Sequence, residues 1–149
     1  MGKRKVSIVI PLYNEEKILE TAVNRLKKDL DQFRDEFDFE IILAENGSTD
    51  RTIEKGGELS KIDSSVSIFH YEHPDYGLAL QEGIRRAGGE IIVCDEIDLC
   101  LPNFMKKPLL NSRTAMPRWS SGQKERREPM TSGLLREGSP HGFSMLCLK

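Results

Sequence analysis

Three acidic residues fall within four positions of the chain, directly after the apolar run at residues 91–94. They are Asp95, Glu96 and Asp98, and in an extended segment Glu96 and Asp98 point to the same side. Carboxylates this close repel one another strongly without a cation, and Mg²⁺ and Mn²⁺ favour one or two carboxylates together with substrate phosphates. The cluster therefore predicts a divalent-metal site, with an exposed acidic turn as the alternative.

A second polar segment, residues 11–16, follows a β-branched run at residues 6–10. It contains Tyr13, whose ring could stack on a nucleotide base, and Glu15, whose carboxylate could accept hydrogen bonds from the base or its ribose. It contains no Gly-x-Gly, which argues against the close backbone approach to a pyrophosphate that a dinucleotide-binding domain requires. The alternative is a capped helix start, in which Asn14 accepts hydrogen bonds from free amide groups.

Two further segments follow apolar runs in the same way. Glu45 comes after the run at residues 39–44 and is followed by a turn-forming Asn-Gly-Ser. His70 and His73 lie three positions apart, but a following proline restricts His73 to extended geometry, so a histidine metal site is the less favoured interpretation. Gly77 would allow either close approach of the backbone to a ligand or ordinary helix packing.

The elements that must carry these residues alternate between strands and helices. Strands are predicted at residues 6–10, 39–44, 66–70 and 90–94, and helices at residues 14–33, 49–62 and 78–87. Gly56 and Gly57 weaken the second helix, each by about 1 kcal/mol relative to alanine. The alternation predicts an α/β, Rossmann-like fold, a mostly parallel sheet with helices on both faces. Ligands of such sheets bind beyond the carboxyl ends of the strands, where each polar segment begins.

The composition changes abruptly after Leu101. Residues 1–101 contain 13 Lys and Arg against 21 Asp and Glu, a net charge of -8, whereas residues 102–149 contain 9 against 3, a net charge of +6. All 17 Ile and Val residues and every Asp lie in the first part. We therefore predict an α/β region at 1–101 and an atypical basic, Pro- and Ser-rich tail at 102–149 without a strand or periodic helix. Three interpretations of the tail stay open: a disordered segment, a basic arm on anionic lipid, or the product of a frameshift near Cys100.

The composition of the whole chain argues against several classes of protein. A formal net charge of -2 argues against a general nucleic-acid-binding protein, which would be clearly basic. No apolar run approaches the roughly 18 residues that a membrane-spanning helix needs. The three cysteines form no CxxC pair, and their odd number without a secretory signal indicates a reducing, cytoplasmic location.

Four segments in order resemble family 2 glycosyltransferases over about residues 5–100: "VSIVIPLYNEE", "EIILAENGSTDRT", "YGLALQEGIRRAGGEIIV" and "DEID". Within that family they are most similar to the polyprenol-phosphate sugar synthases, such as dolichol-phosphate mannose synthase. The resemblance implies the A-type glycosyltransferase fold, in a truncated form that holds only the nucleotide-sugar-binding half.

The resemblance also implies a role for each matching position. Nucleotide-sugar binding would involve Pro11, Tyr13, Glu15, Glu45, Gly77, Leu78 and Glu96, and the metal, Mg²⁺ or Mn²⁺, would be held by Glu96 and Asp98. Glutamate at positions 45 and 96 departs from the aspartate usual in the family, and Arg51 stands where glycine is common. No residue is identified as the catalytic base.

The activity that the resemblance implies is transfer of a sugar from a GDP- or UDP-sugar to a polyprenol phosphate or glycan acceptor. The expected location is the cytoplasm, at the inner face of the membrane with peripheral contact to it, and no nucleic-acid partner is expected. A non-catalytic nucleotide- or metal-binding module of the same fold is the alternative. An unrelated receiver-like phospho-acceptor domain is the third hypothesis, and the tyrosine-bearing residues 11–16 argue against it.

Overall fold

The computed structural model describes residues 2–98 and the backbone of residues 145–148. Its elements are β1 (Arg4–Leu12), α1 (Leu19–Leu30) with a following 3₁₀ turn (Asp31–Phe33), β2 (Phe37–Asn46), α2 (Thr52–Ile62), β3 (Val66–Tyr71), α3 (Tyr76–Arg86), β4 (Ile91–Cys94) and β5 (Met145–Leu148). Every predicted strand and helix is present, and the largest difference at an element end is at the start of α1.

The five strands form one sheet in the order β3-β2-β1-β4-β5. β1 pairs in parallel with both β2 and β4, and β2 pairs in parallel with β3. The carboxyl ends of these four strands therefore lie along one edge of the sheet. This arrangement confirms the predicted α/β fold with a mostly parallel sheet.

Helices cover both faces of the sheet. On one face, a buried cluster packs Leu19, Val23 and Leu26 of α1 against the side chains of β1 and β2. On the other face, Ala79 and its neighbours in α3 pack against a second cluster that includes Val9. β1 lies between these two layers and is buried from Val6 to Leu12, as its continuous apolar run predicts. Among residues 2–98, no helix combines the length and the apolar character needed to cross a membrane.

Glycine in the middle of two helices allows close packing on the sheet. A Cβ added at Gly83 of α3 would overlap Cγ1 of Val9, and one added at Gly56 of α2 would overlap Cδ1 of Ile68. Gly57 has no atom within 4 Å of that position, so it has no such packing role. The loss of helix stability predicted for Gly56 is therefore offset by its close packing against Ile68 of β3.

The expectation that residues 102–149 contain no strand is wrong for Met145–Leu148. This segment pairs antiparallel with β4, with Leu148 opposite Ile91 and Met145 opposite Cys94. The run is short and has no β-branched residue, so its local pattern gives a weak strand signal. It forms a strand because its backbone pairs with the edge of β4, and that edge exists only in the folded sheet. The rest of the predicted tail lies outside the described residues.

The prediction that Asn14 caps the first helix is also wrong. α1 begins at Leu19, its N-cap residue is Ile18, and no side chain caps it by a hydrogen bond. A turn precedes it, in which the amides of Ile18 and Leu19 donate to the carbonyl of Glu15 at 3.1 and 3.0 Å. Asn14 instead has a left-handed backbone conformation, with a φ of 57°, and bonds to the loop that follows β2.

Candidate functional site

A cavity of about 330 Å³ opens at the carboxyl ends of β1, β2 and β4. Its lining comes from the end of β1 and the loop after it, the end of β2, the start of α3 and the segment after β4. The lining residues are Pro11, Leu12, Tyr13, Glu15, Asn46, Tyr76, Glu96, Ile97 and Asp98. This is the edge of the sheet at which the sequence predicts ligand binding.

Five of the predicted site residues line this cavity. They are Pro11, Tyr13, Glu15, Glu96 and Asp98. Pro11 is buried, Glu15 and Glu96 are partly buried, and Asp98 is exposed. Residues more than 80 positions apart in the chain are thus brought together by the pairing of β1 with β4.

The acids of the cavity act on one another electrostatically. Burial raises the pKa of Glu96, and the carboxylates of Asp98 and Asp95 raise it further. Burial also raises the pKa of Glu15, with added contributions from Asp98 and Asp50. Asp98 therefore disfavours the charged form of both Glu15 and Glu96, and a bound cation would relieve this repulsion.

The donor set fits a metal that shares its coordination with a ligand. Among residues 2–98, no group of three or more His, Cys, Asp or Glu side chains is placed to hold an ion by itself. Glu96 and Asp98 supply oxygen donors only, which suits Mg²⁺ or Mn²⁺ completed by phosphate oxygens and water. Because burial and like charge disfavour the ionised form of Glu96, the site has an electrostatic reason to bind a cation.

Sequence reasoning missed four lining residues, namely Leu12, Asn46, Tyr76 and Ile97. Leu12 and Asn46 belong to β1 and β2, which each extend two residues beyond the predicted ends at residues 10 and 44. Asn46 is buried, and its side-chain oxygen accepts a hydrogen bond from the Asp75 amide at 2.5 Å, which fixes the start of α3 beside β2.

Tyr76 is the first residue of α3 and faces the acidic part of the cavity. Its side chain is half exposed, with 47% of its surface accessible, the same fraction as Tyr13. Burial raises the pKa of the Tyr76 phenol, and the charges of Glu96 and Cys94 raise it further. The phenol, like that of an ordinary tyrosine, is protonated at neutral pH and can donate a hydrogen bond to an anionic ligand.

The structure does not bring Glu45 to the cavity wall. Its side chain is fully buried, and its carboxylate accepts a hydrogen bond from the Ser48 amide at 2.5 Å and contacts Nδ1 of His70. Both oxygens are thus engaged within the fold, on the side of β3. Gly77 and Leu78 of α3 are exposed next to Tyr76 and also do not line the cavity. Nucleotide contacts for these three residues stay predictions.

The profile of the family described as Glycosyl transferase family 2 matches residues 7–112. Two relatives are each 33% identical to the chain. One is the undecaprenyl-phosphate 4-deoxy-4-formamido-L-arabinose transferase of Proteus mirabilis, over 66% of this chain and 30% of the relative. The other is the dolichol-phosphate mannosyltransferase of Pyrococcus furiosus, over 66% of this chain and 27% of the relative. The chain thus spans about 30% of the length of these relatives.

Two solved structures share the fold. A mannosyltransferase from Pyrobaculum calidifontis, in complex with GDP-Man and Mn²⁺, is 25% identical with a TM-score of 0.53, over 66% of this chain and 28% of that one. Glucosyl-3-phosphoglycerate synthase from Mycobacterium tuberculosis, in complex with Mn²⁺, UDP and phosphoglyceric acid, is 28% identical with a TM-score of 0.52, over 72% and 39%.

The matched range begins in β1, includes every residue that lines the cavity, and ends past the composition change at Leu101. The division of the chain at that residue stays a prediction. Because the profile covers well over half of the chain and the fold agrees with structures of glycosyltransferases, the chain belongs to glycosyl transferase family 2.

Proposed function

We propose that the chain is the nucleotide-sugar-binding part of a metal-dependent glycosyltransferase, which moves a sugar from a GDP- or UDP-sugar to a polyprenol phosphate or glycan acceptor. One observation carries the proposal: Glu15 after β1 and the Glu96–Asp98 pair after β4 converge on one cavity that also has two half-exposed tyrosines. Such a cavity combines charge for a metal diphosphate with aromatic surface for a base.

In this proposal Glu96 and Asp98 hold Mg²⁺ or Mn²⁺. When bound, the cation neutralises charge on the diphosphate and on the leaving group. Tyr76 lies beside Glu96, and its protonated phenol donates a hydrogen bond to a phosphate oxygen. Without a cation the same carboxylates repel a diphosphate, so metal and nucleotide bind together.

The nucleoside lies against the end of β1. Tyr13 offers a half-exposed ring for the base, and Pro11 and Leu12 form a buried apolar floor next to it. Glu15 is partly buried and accepts hydrogen bonds from the ribose or base. Asn46 adds an amide group to the same wall. The two relatives named as undecaprenyl-phosphate and dolichol-phosphate transferases support a lipid-phosphate acceptor. With such an acceptor, the chain would work at the inner face of the membrane.

A second candidate is a module of the same fold that binds nucleotide and metal without turnover. The observation in its favour is that the cavity formed by residues 2–98 offers carboxylates for a metal and aromatic surface for a base, while no residue is identified as a catalytic base. Sugar transfer or hydrolysis by the isolated chain would exclude it, whereas metal-dependent binding without turnover would support it.

The test is calorimetric titration of the full chain with GDP-mannose and with UDP-glucose, each with and without Mn²⁺. We expect binding that depends on Mn²⁺, and we expect Asp98→Ala to weaken it about 100-fold or more because a direct ligand is lost. Asp35→Ala is the matched control, since Asp35 is an exposed acid between α1 and β2, away from the cavity. Manganese-dependent affinity that is unchanged in Asp98→Ala would refute the metal site.

A further inference from the structure

Two loops beside the cavity are joined by a group of hydrogen bonds that we call the clasp. The first loop follows β1 and contains Asn14 and Glu16, and the second follows β2 and contains Ser48 and Thr49. The Asn14 amide donates to Ser48 Oγ at 2.9 Å, and the Thr49 amide donates to Asn14 Oδ1 at 2.8 Å. The Arg51 amide donates to a Glu16 carboxylate oxygen at 3.0 Å. The clasp thus joins residues about 35 positions apart.

Asn14 is central to the clasp because its backbone and its side chain both take part. Its Oδ1 also accepts a hydrogen bond from the Thr49 hydroxyl at 3.3 Å. Its φ of 57° lies in the left-handed region, where most residues lose about 1 kcal/mol and asparagine is among the few tolerated. Asparagine therefore combines a conformation that glycine also adopts with an acceptor that glycine lacks.

The clasp acts on the residues on both sides of Asn14. Tyr13 and Glu15 both line the cavity, and the Glu15 amide is itself held by Thr52 Oγ1 at 2.8 Å. Tyr13 is half exposed, so the packing of its own side chain fixes its position only weakly. The turn at Asn14 determines where these two side chains leave the backbone.

We propose that Asn14 is a positioning residue of the site: it fixes the first loop against the second so that Tyr13 and Glu15 face the cavity. The functional part of this inference rests on the proposed nucleotide binding. The structural part, an ordered clasp that depends on the Asn14 side chain, does not.

The experiment compares three variants of the full chain. Asn14→Gly keeps the left-handed backbone and removes the acceptor, whereas Asn14→Asp keeps both. Asp63→Asn is the stability control, since Asp63 pairs with Lys27 near the opposite end of α2 and lies outside the clasp. Amide hydrogen exchange measures loop order without any ligand, and titration with Mn²⁺ and GDP-mannose or UDP-glucose measures affinity.

We expect the Thr49 and Glu15 amides to exchange about tenfold faster in Asn14→Gly than in the wild type. We also expect the nucleotide Kd to rise about tenfold in that variant and to return to within about twofold of wild type in Asn14→Asp. Asp63→Asn should leave the Kd unchanged although it lowers the stability of the fold. That contrast separates positioning from general destabilisation.

Two results would overturn the inference. Unchanged exchange in Asn14→Gly would mean that the side chain does not hold the clasp, and faster exchange with unchanged Kd would mean that the clasp does not position the site. If the wild type binds neither nucleotide, the proposed function fails, and the exchange rates of the Thr49 and Glu15 amides still decide whether the Asn14 side chain orders the clasp.

Discussion

At the scale of single residues, the site is defined by acids whose charged forms the fold itself disfavours. Glu15 and Glu96 both have a raised pKa, first because they are buried and then because Asp98 lies near each of them. Without a ligand, the fold would be more stable if these carboxylates were neutral. We therefore attribute their presence to binding. A cation and a diphosphate together would compensate the charges that the fold holds in place.

This balance predicts opposite effects of Glu96→Gln on stability and on binding. A raised pKa in the folded state means that Glu96 stabilises the fold relative to the unfolded chain below pH 4.5, and that this contribution is lost as the pH rises through the folded pKa. At pH 7 without metal, the neutral glutamine should therefore increase the free energy of unfolding by a few tenths of a kcal/mol. Manganese-dependent nucleotide affinity should fall.

Urea unfolding at pH 7 and at pH 4, together with calorimetric titration, would measure both effects. The stability difference between Glu96→Gln and wild type should shrink at pH 4, because wild-type Glu96 is then largely protonated. Asp35→Asn serves as the control for removal of an exposed charge. A variant that is less stable than wild type at pH 7 would argue against the repulsion.

At the scale of elements, the site depends on helices that lie close to the sheet. Gly83 allows α3 to approach Val9 of β1, and the start of the same helix carries Tyr76 to the cavity. Asn46 at the end of β2 holds that start through the Asp75 amide. The position of Tyr76 is therefore set by packing in the middle of α3 and by one hydrogen bond at its first turn.

Alanine substitutions at two helix glycines should have opposite signs. Gly83→Ala forces a methyl group into fully buried Val9 and should lower the free energy of unfolding by about 1–3 kcal/mol. Gly57→Ala adds a methyl group where no atom lies within 4 Å and should raise it by about 0.5–1 kcal/mol. Chemical denaturation of both variants provides the measurement, and equal effects of the two would contradict the packing account.

At the scale of the whole molecule, the described residues form one sheet in which β4 lies between β1 and β5. β4 is buried along its whole length and pairs with β1 on one side and with β5 on the other. An open strand edge offers unpaired backbone groups to solvent or to another chain. The segment Met145–Leu148 covers this edge, next to the acids that follow β4.

Replacing Met145–Leu148 by Gly-Ser-Gly-Ser should lower the free energy of unfolding by about 1–2 kcal/mol, through loss of the backbone ladder to β4. Replacement by Thr-Val-Thr-Val is the matched control, since these residues favour strands and should restore most of the loss. Thermal unfolding and light scattering would report stability and self-association. Stability that is equal in all three chains would show that β5 contributes nothing to the sheet.

Local patterns in the sequence are enough to predict the alternation of strands and helices and the edge of the sheet at which polar residues gather. Apolar periodicity indicates which residues are buried. Once the run at residues 91–94 is predicted to be a strand, the acids that follow it must lie at the carboxyl end of that strand. Hence the fold and five residues of the cavity wall, among them Tyr13, Glu96 and Asp98, could be predicted.

The hydrogen-bond partners of several polar side chains, by contrast, depend on the folded arrangement of the chain. Glu45 bonds to Ser48 and His70 instead of facing the cavity, and Asn14 joins two loops instead of capping a helix. β5 forms on an edge that its own residues do not specify. In each case the partner is one that apolar periodicity does not indicate. It lies on another loop or strand, or in the turn that follows β2. Hydrogen bonds of this kind depend on the folded arrangement and leave no periodic signal in the sequence.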